Sequence, residues 1–362
     1  MSSTVAGTTL SIPVSARSGL RAQIIVAVVL ALGVGSYFWI DSRYPALLKK
    51  MHSGKAIKVA GAISFDALLP VTPDMPALTR VARTTANWTW TNRVGMTFSL
   101  FFGAALLTLL PLLPRRRFGN AAANTALGVV TGIPLGVCAN CVAPIGQSLY
   151  QGGASPTTVL ATMISSPMLN IVVLTMVFTL LPIQIAVVRV AVPLFLLALV
   201  PWLTREAKPA PEGMCALPDP GWLKPSAGAL QQYGKNLGRL ALTTLPLMLL
   251  AALLGALVAE LVPAHDLPAQ VSVIGIVLVA LAGAFLPVPM AFDVAASYVL
   301  MARGVPMPYV VTLLCTLGAF SIYPMMVVGR TISWRTAVRV FAAVLVIGIA
   351  VGVGTAFAQH AL

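Results

Sequence analysis

The stretch from Ala121 to Gly152 reads AAANTALGVVTGIPLGVCANCVAPIGQSLYQG, and its reading decides the fold. It is apolar and about 30 residues long, too long for one comfortable membrane crossing and too short for two, which need about 40. Gly132, Pro134, Gly136 and Pro144 stand near its middle. Proline lacks a backbone donor and clashes with the preceding turn, so the helix is expected to break there and return as a hairpin. A second stretch, 270–302, has a similar length and its own breakers, Gly283, Pro287 and Pro289. Non-helical backbone at membrane depth is tolerated only where protein or a water-filled cavity covers it, so both hairpins point to a functional interior.

The rest of the chain agrees that lipid is the solvent. Of 362 residues, 58% are hydrophobic and 9% charged, against roughly 25% charged in a soluble domain. That composition excludes an ordinary soluble protein, and intrinsic disorder with it. Apolar runs of crossing length lie at 20–40, 95–113, 156–181, 183–203, 240–262, 308–329 and 337–358. The run 20–40 is longer than a signal-peptide core, with Arg17 before it and Arg21 at its start, so it is read as a retained first span. The net charge of +14 comes from 23 Lys+Arg against nine Asp+Glu, scattered between apolar segments. It is read as an orientation signal rather than as nucleic-acid binding.

Arg17 and Arg21, the run Arg115-Arg116-Arg117, the segment with Arg205, Lys208, Lys224, Lys235 and Arg239, and the turn with Arg330 and Arg335 are therefore placed inside. The loop 41–94 falls outside despite eight Lys/Arg, against the charge rule. Its Trp88 and Trp90 are read as interfacial anchors. This gives a multi-pass protein of a bacterial-type inner membrane with a cytoplasmic N-terminus.

Lined up, the spans form two blocks of identical order: span, broken hairpin, span, span. The loop charges give the blocks opposite orientations. Leu149 and Gly153 are echoed by Leu300 and Gly304 at one offset, 300 − 149 = 304 − 153 = 151. The expected fold is an all-α polytopic membrane protein with an inverted-topology repeat and two broken-helix re-entrant hairpins, a design of secondary transporters. Its parts are 1–40 with the first transmembrane helix, an extracytoplasmic loop 41–94, permease repeat 1 at 95–203, a cytoplasmic linker 204–239 and permease repeat 2 at 240–362.

Within the first hairpin Cys138 and Cys141 are followed by Pro144, Leu149 and Gly153, then by a span containing Ser166-Pro167-Met-Leu-Asn170, and Pro287-x-Pro289 opens the second hairpin. In these residues the chain resembles the predicted-permease superfamily that includes the organoarsenical efflux permeases. The resemblance covers roughly 95–335. It implies a multispanning exporter and, for the best-known branch, a trivalent organoarsenical handled by thiols. That branch has Cys-x-Cys followed by Gly, whereas this chain has Cys138-x-x-Cys141 followed by Val142.

Cysteines at i and i+3 share a face of a helix or turn, and thiolates suit soft ions and metalloids. Cys138 and Cys141 are thus candidate soft ligands, with Cys315 a third sulfur if its span meets the hairpin; packing is the alternative for each. Cys215 is read as inert. Asn140, Gln147, Ser148, Ser165, Ser166 and Asn170 are neutral polar groups at membrane depth, suited to a lined pathway or to interhelical hydrogen bonding. Pro144 and Pro289 mark the breaks. Asp293, deep in an apolar segment, is either a proton carrier or counter-charge, or the ion-pair partner of Arg303 or Arg189. Half-helix N-termini also suit an anionic cargo. Glu260 is read as interfacial, and His52, His265 and His360 are isolated.

No hydrolase set, P-loop or dinucleotide fingerprint is present, so no enzyme activity is expected. The expected function is a secondary permease, an exporter of a soft-metal, metalloid or thiol-reactive solute. The rivals are a transporter of a small oxyanion or organic anion, and an assembly factor that delivers metal or thiol equivalents through Cys138 and Cys141. The expected partners are the bilayer and a small-molecule or metalloid substrate, with no nucleic acid and with a homo-oligomer left open. No cofactor is expected.

Overall fold

A computed structural model describes residues 14–53, 68–72, 74–113, 118–209, 225–261 and 271–359. Arg115, Arg116, Arg117, Cys215, Lys224, His265 and His360 lie outside the described residues, as do the side chains of Arg17 and His52. Among the described residues the secondary structure is entirely helical. In order the α-helices are α1 (Val14–Phe38), α2 (Tyr44–Ser53), α3 (Ala77–Thr91), α4 (Arg93–Leu109), α5 (Ala121–Gly132), α6 (Ala139–Gln151), α7 (Pro156–Met168), α8 (Ile171–Leu180), α9 (Ile183–Leu203), α10 (Pro225–Leu261), α11 (Val273–Phe285), α12 (Phe292–Ala302), α13 (Met307–Thr316), α14 (Ile322–Thr331) and α15 (Trp334–Ala358).

Five helical segments are long and apolar enough to cross a membrane: Gly19–Leu48, Arg93–Leu112, Ile183–Leu203, Ser226–Glu260 and Trp334–Ala358. A sixth is the pair α7 and α8, bent by 41°. The chain is a multi-pass membrane protein. Its exposed apolar side chains, such as Leu32, Val130, Phe195, Leu242 and Val346, are those a lipid-solvated surface requires.

Both stretches expected to form hairpins are interrupted, at sharper places than the breakers suggested. In the first, α5 ends at Gly132, Ile133–Leu135 makes one 3-10 turn, Gly136 takes the left-handed conformation at φ 57°, and Cys138 caps α6. In the second, α11 ends at Phe285 and α12 begins at Phe292 after Ala291, a non-glycine residue at φ 63°. Pro144 and Gly283 do not break anything; they lie inside α6 and α11. Two runs read as single spans are each two helices. The run 156–181 divides at Asn170, whose side chain caps α8, and the run 308–329 divides between Thr316 and Ile322, around Gly318 at φ 75°.

Element boundaries repeat along the chain. The helices α13, α14 and α15 start one constant interval after α7, α8 and α9: 307 − 156 = 322 − 171 = 334 − 183 = 151. This is the offset of the Leu149/Leu300 echo, now carried by three successive helix starts.

Small residues let the paired helices approach. Gly128 and Gly132, four apart on α5, face Thr158, Ala161, Thr162 and Ser165 of α7, and the Thr162 hydroxyl donates to the Gly128 carbonyl at 3.1 Å. Gly348 and Gly352 of α15 face Thr312 and Thr316 of α13 in the same manner. This is the small-xxx-small packing of membrane helices. A Cβ on Gly132 would stand 2.8 Å from the Thr162 carbonyl oxygen, so Gly132→Val is expected to destabilise by about 1–3 kcal/mol through overpacking. By contrast Gly238→Ala, into open space on α10, should stabilise by about 0.5–1 kcal/mol. Unfolding midpoints of the purified protein in detergent compare the two.

Parts of the stretch 41–94 are helical, in α2 and α3. Past α1 a π-helical turn, Trp39–Arg43, continues into α2, and α1 docks on α4 through stacked Phe38 and Phe98 rings 3.9 Å apart. The Trp39 indole N–H donates to the Pro134 carbonyl at 2.8 Å, at the tip of the first hairpin. Trp88 is buried against Gly255 of α10 rather than placed at an interface, while Trp90 is exposed and stacks on the Arg93 guanidinium at 4.0 Å. The expected linker 204–239 is shorter than read, because α10 already begins at Pro225.

Candidate functional site

Four interruptions of the helices meet at one place. A cavity of about 10 Å³, the room one water needs, is lined by Cys138 and Ala139 from the α5–α6 break and by Pro167 from the α7–α8 bend. Val288, Pro289, Met290, Ala291 and Asp293 from the α11–α12 break, and Gly318 from the α13–α14 gap, complete it. Hydrogen bonds tie these pieces together. The Asn140 carboxamide donates to the Val288 carbonyl at 3.3 Å and accepts from the Ser321 hydroxyl at 2.8 Å. The Val137 N–H donates to Ser166 Oγ at 3.4 Å, and the Asn92 carboxamide donates to the Pro287 carbonyl at 3.4 Å. Asn170 closes the bend above Pro167 by donating to the Ser166 carbonyl at 2.7 Å and accepting from the Val173 N–H at 3.0 Å.

Cys138 and Cys141 are joined in a disulfide with their Cα atoms 5.1 Å apart. Cys138 also caps α6, its sulfur accepting from the Cys141 N–H at 3.1 Å. Asn92 Oδ1 lies 3.6 Å from the same sulfur, and Gly95 of α4 leaves no room beside the Cys141 sulfur for even a Cβ. Only the reduced pair would offer the thiolates that soft ions need. Cys315 is free and buried on α13, and among the described residues no three His, Cys, Asp or Glu side chains gather as a metal site.

Charge enters the site as a pair. Asp293, in the first turn of α12, is 3% exposed and accepts from the Arg189 guanidinium of α9 at 2.6 Å. Arg189 is 1% exposed. Its Nε and one terminal nitrogen have no hydrogen-bond partner, nor has the buried Ser297 hydroxyl one turn along α12. Of the two partners considered for Asp293, the structure gives Arg189, not Arg303. The left-handed Ala291 borders the same cavity; backbone strain of this kind is held where the surroundings over-determine it, commonly at binding sites.

No family model matches the chain, and no solved structure matches it. The chain is similar to the UPF0718 protein YraQ of Escherichia coli (strain K12), with 26% identity over 248 residues that cover 67% of this chain and 70% of that protein. Together the similarity and the apolar helices support a helical, multi-pass, permease-like membrane protein. Nothing in that relative's name speaks to arsenicals.

The residues singled out in the sequence fall into three groups, with Ser165 and the free, buried Cys315 apart from them. Cys138, Pro289 and Asp293 border the cavity. Asn140, Cys141, Ser166 and Asn170 hold its walls in place. Pro144, Gln147 and Ser148 lie further along α6: Gln147 donates to the Thr243 hydroxyl of α10 at 3.2 Å, and Ser148 donates to the Pro144 carbonyl at 2.9 Å and faces Gly103. Ser165 packs on Gly128. Ser321 and Gly318 also belong to the site, and Arg189 enters it as the counter-ion of Asp293. One cation inside the apolar run 183–203 was the available signal.

Glu260 pairs with Arg80 across α10 and α3. Glu206 accepts from Arg339 at 2.6 Å, which holds its carboxyl below the ordinary carboxylate range.

Proposed function

We propose that this chain is a secondary permease that moves a small solute by alternating access around the cavity between the two hairpin tips. The observation that carries the reading is the convergence of all four helix interruptions, with the one buried ion pair among the described residues, on a single cavity. Broken helices concentrated at one point, in two blocks of matching boundaries, are how secondary transporters build a midplane site. In this reading the blocks are inverted relative to each other and the hairpins re-enter from opposite faces. The small cavity is an occluded state, opened to either side by rocking one block on the other.

The solute class follows from Cys138, the sulfur at the cavity wall. With the pair reduced, Cys138 and Cys141 present two soft ligands at the tip of α6, suited to a trivalent metalloid or other thiol-reactive solute exported from the cell. A deletion strain is expected to become sensitive to at least one compound in a panel of trivalent arsenicals, antimonite, copper, silver and oxyanions. Cys138→Ser/Cys141→Ser should fail to restore resistance while inserting at normal levels. Protection by the double variant equal to wild type against every compound would sink the thiol mechanism. Stoichiometric binding of a soft metal by the purified protein, with no movement across proteoliposomes, would favour an assembly factor instead.

A second reading, a small oxyanion as cargo, is favoured by Arg189, whose buried guanidinium keeps two nitrogens without partners.

A further inference from the structure

The Arg189 side chain is in an unusual position for a structural cation. It is 1% exposed, stands in an otherwise apolar stretch of α9, and makes one ion-pair contact, to Asp293 Oδ2, while Nε and a terminal nitrogen donate to nothing. A guanidinium carries five N–H donors, and leaving buried charged donors unmade is costly. The carboxylate that holds it borders the cavity, so the guanidinium is one hydrogen bond away from that space.

We infer that Arg189 is the anion-binding group of this protein, and that Asp293 is an internal anion that occupies it until a proton displaces it. The inference rests on the permease reading with an oxyanion as cargo. The charge arithmetic is simple. In the state described, one guanidinium and one carboxylate cancel. If Asp293 takes up one proton, its bond to Arg189 is lost as an ion pair, and the guanidinium is left at the first turn of α12, an electropositive helix end. A bare cation in such surroundings draws in an anion, and the guanidinium's planar N–H pairs match two oxygens of one oxyanion. One proton and one anion then enter together. Loss of the proton restores the carboxylate, which expels the anion by taking back its partner.

The titratable groups carried by the elements next to Asp293 are few. From α9 there is Arg189, and from α13 there are Tyr309 and Cys315; Cys138 of α6 is tied in the disulfide. The helix α8, which packs on α12, carries none, and α12 itself adds Tyr298 and Arg303.

The test is calorimetric titration of the purified full-length protein with sodium sulfate as probe, at pH 8 and pH 5.5. Wild type is expected to bind sulfate at least tenfold more tightly at the lower pH. Asp293→Asn, which mimics the protonated acid, should bind equally at both. Arg189→Gln/Asp293→Asn, neutral at both positions, should show no binding beyond the weak background of surface Lys and Arg. If Asp293→Asn does not fold, the wild-type pH response and its loss in the double variant decide alone. Equal binding by wild type and the double variant, or a wild-type affinity independent of pH, overturns the inference. The expected binding pattern, in a protein whose proteoliposomes move neither sulfate nor any compound of the sensitivity panel, supports the anion site and overturns the permease reading.

Discussion

Arg189→Ala is expected to destabilise the protein by roughly 3–5 kcal/mol, the usual penalty for leaving one partner of a buried ion pair uncompensated. The size of the effect comes from Asp293, which would be left nearly fully buried and charged at membrane depth. Asp293 would have to take up a proton or draw water into a cavity with room for about one molecule. The diagnostic comparison is Arg189→Met/Asp293→Leu. Replacing both charges by apolar groups of similar volume is often neutral or stabilising by about 1–4 kcal/mol, so the double variant should recover the unfolding midpoint that the single variant loses. A double variant that stays as unstable as Arg189→Ala would mean that the guanidinium stabilises the fold through contacts other than Asp293. A double variant that is stable and inactive separates what the pair does for the fold from what it does for transport.

The second large effect is expected at Asn140. Its carboxamide bonds both the α11–α12 break, at the Val288 carbonyl, and the α13–α14 gap, at the Ser321 hydroxyl. Asn140→Leu keeps the volume and removes both bonds, stranding two buried polar groups at about 1–3 kcal/mol each. Two consequences are expected together: a lower unfolding midpoint, and transport lost by more than the fall in folded protein accounts for, because the tips are no longer held in register. Asn140→Asp would retain the acceptor for Ser321 and lose the donor to Val288, so an intermediate midpoint would assign the two bonds separately. An unchanged midpoint in Asn140→Leu would show that the hairpin tips are held by packing alone.

What the sequence made legible follows from the reach of each signal. The breaks at Gly132–Gly136 and Pro287–Ala291 were readable because proline and glycine act on the backbone beside them. The breaks at Asn170 and Gly318 were harder, since each sits inside an apolar run of crossing length and a length criterion passes over it. Their marks are local: Asn170 is a helix cap bonding the Val173 N–H, and Ser321 stands at the same point in the second block. The fates of Gln147 and Ser148 were not legible at all. Nothing near Gln147 in the chain says that Thr243, 96 residues on, will meet it. Arg189 was legible as a lone cation in an apolar helix, but its unpartnered nitrogens appear only when α9 and α12 are brought together. The disulfide marks a different limit, because the spacing of Cys138 and Cys141 suits a bonded pair and a pair of open thiols equally.

The stretch before the first block holds both hairpins by a main-chain oxygen. Trp39 has hold of Pro134, and Asn92 has hold of Pro287. In the proposed alternating access, two matching blocks that rock on one another need a stop at the end of each swing. A frame that grips both tips supplies one. The indole N–H and the carboxamide can follow their carbonyls only within hydrogen-bond reach, so a larger excursion of either tip must release its grip while the other stays held. In that proposal the part of the chain outside the two blocks is the part that sets the length of the stroke.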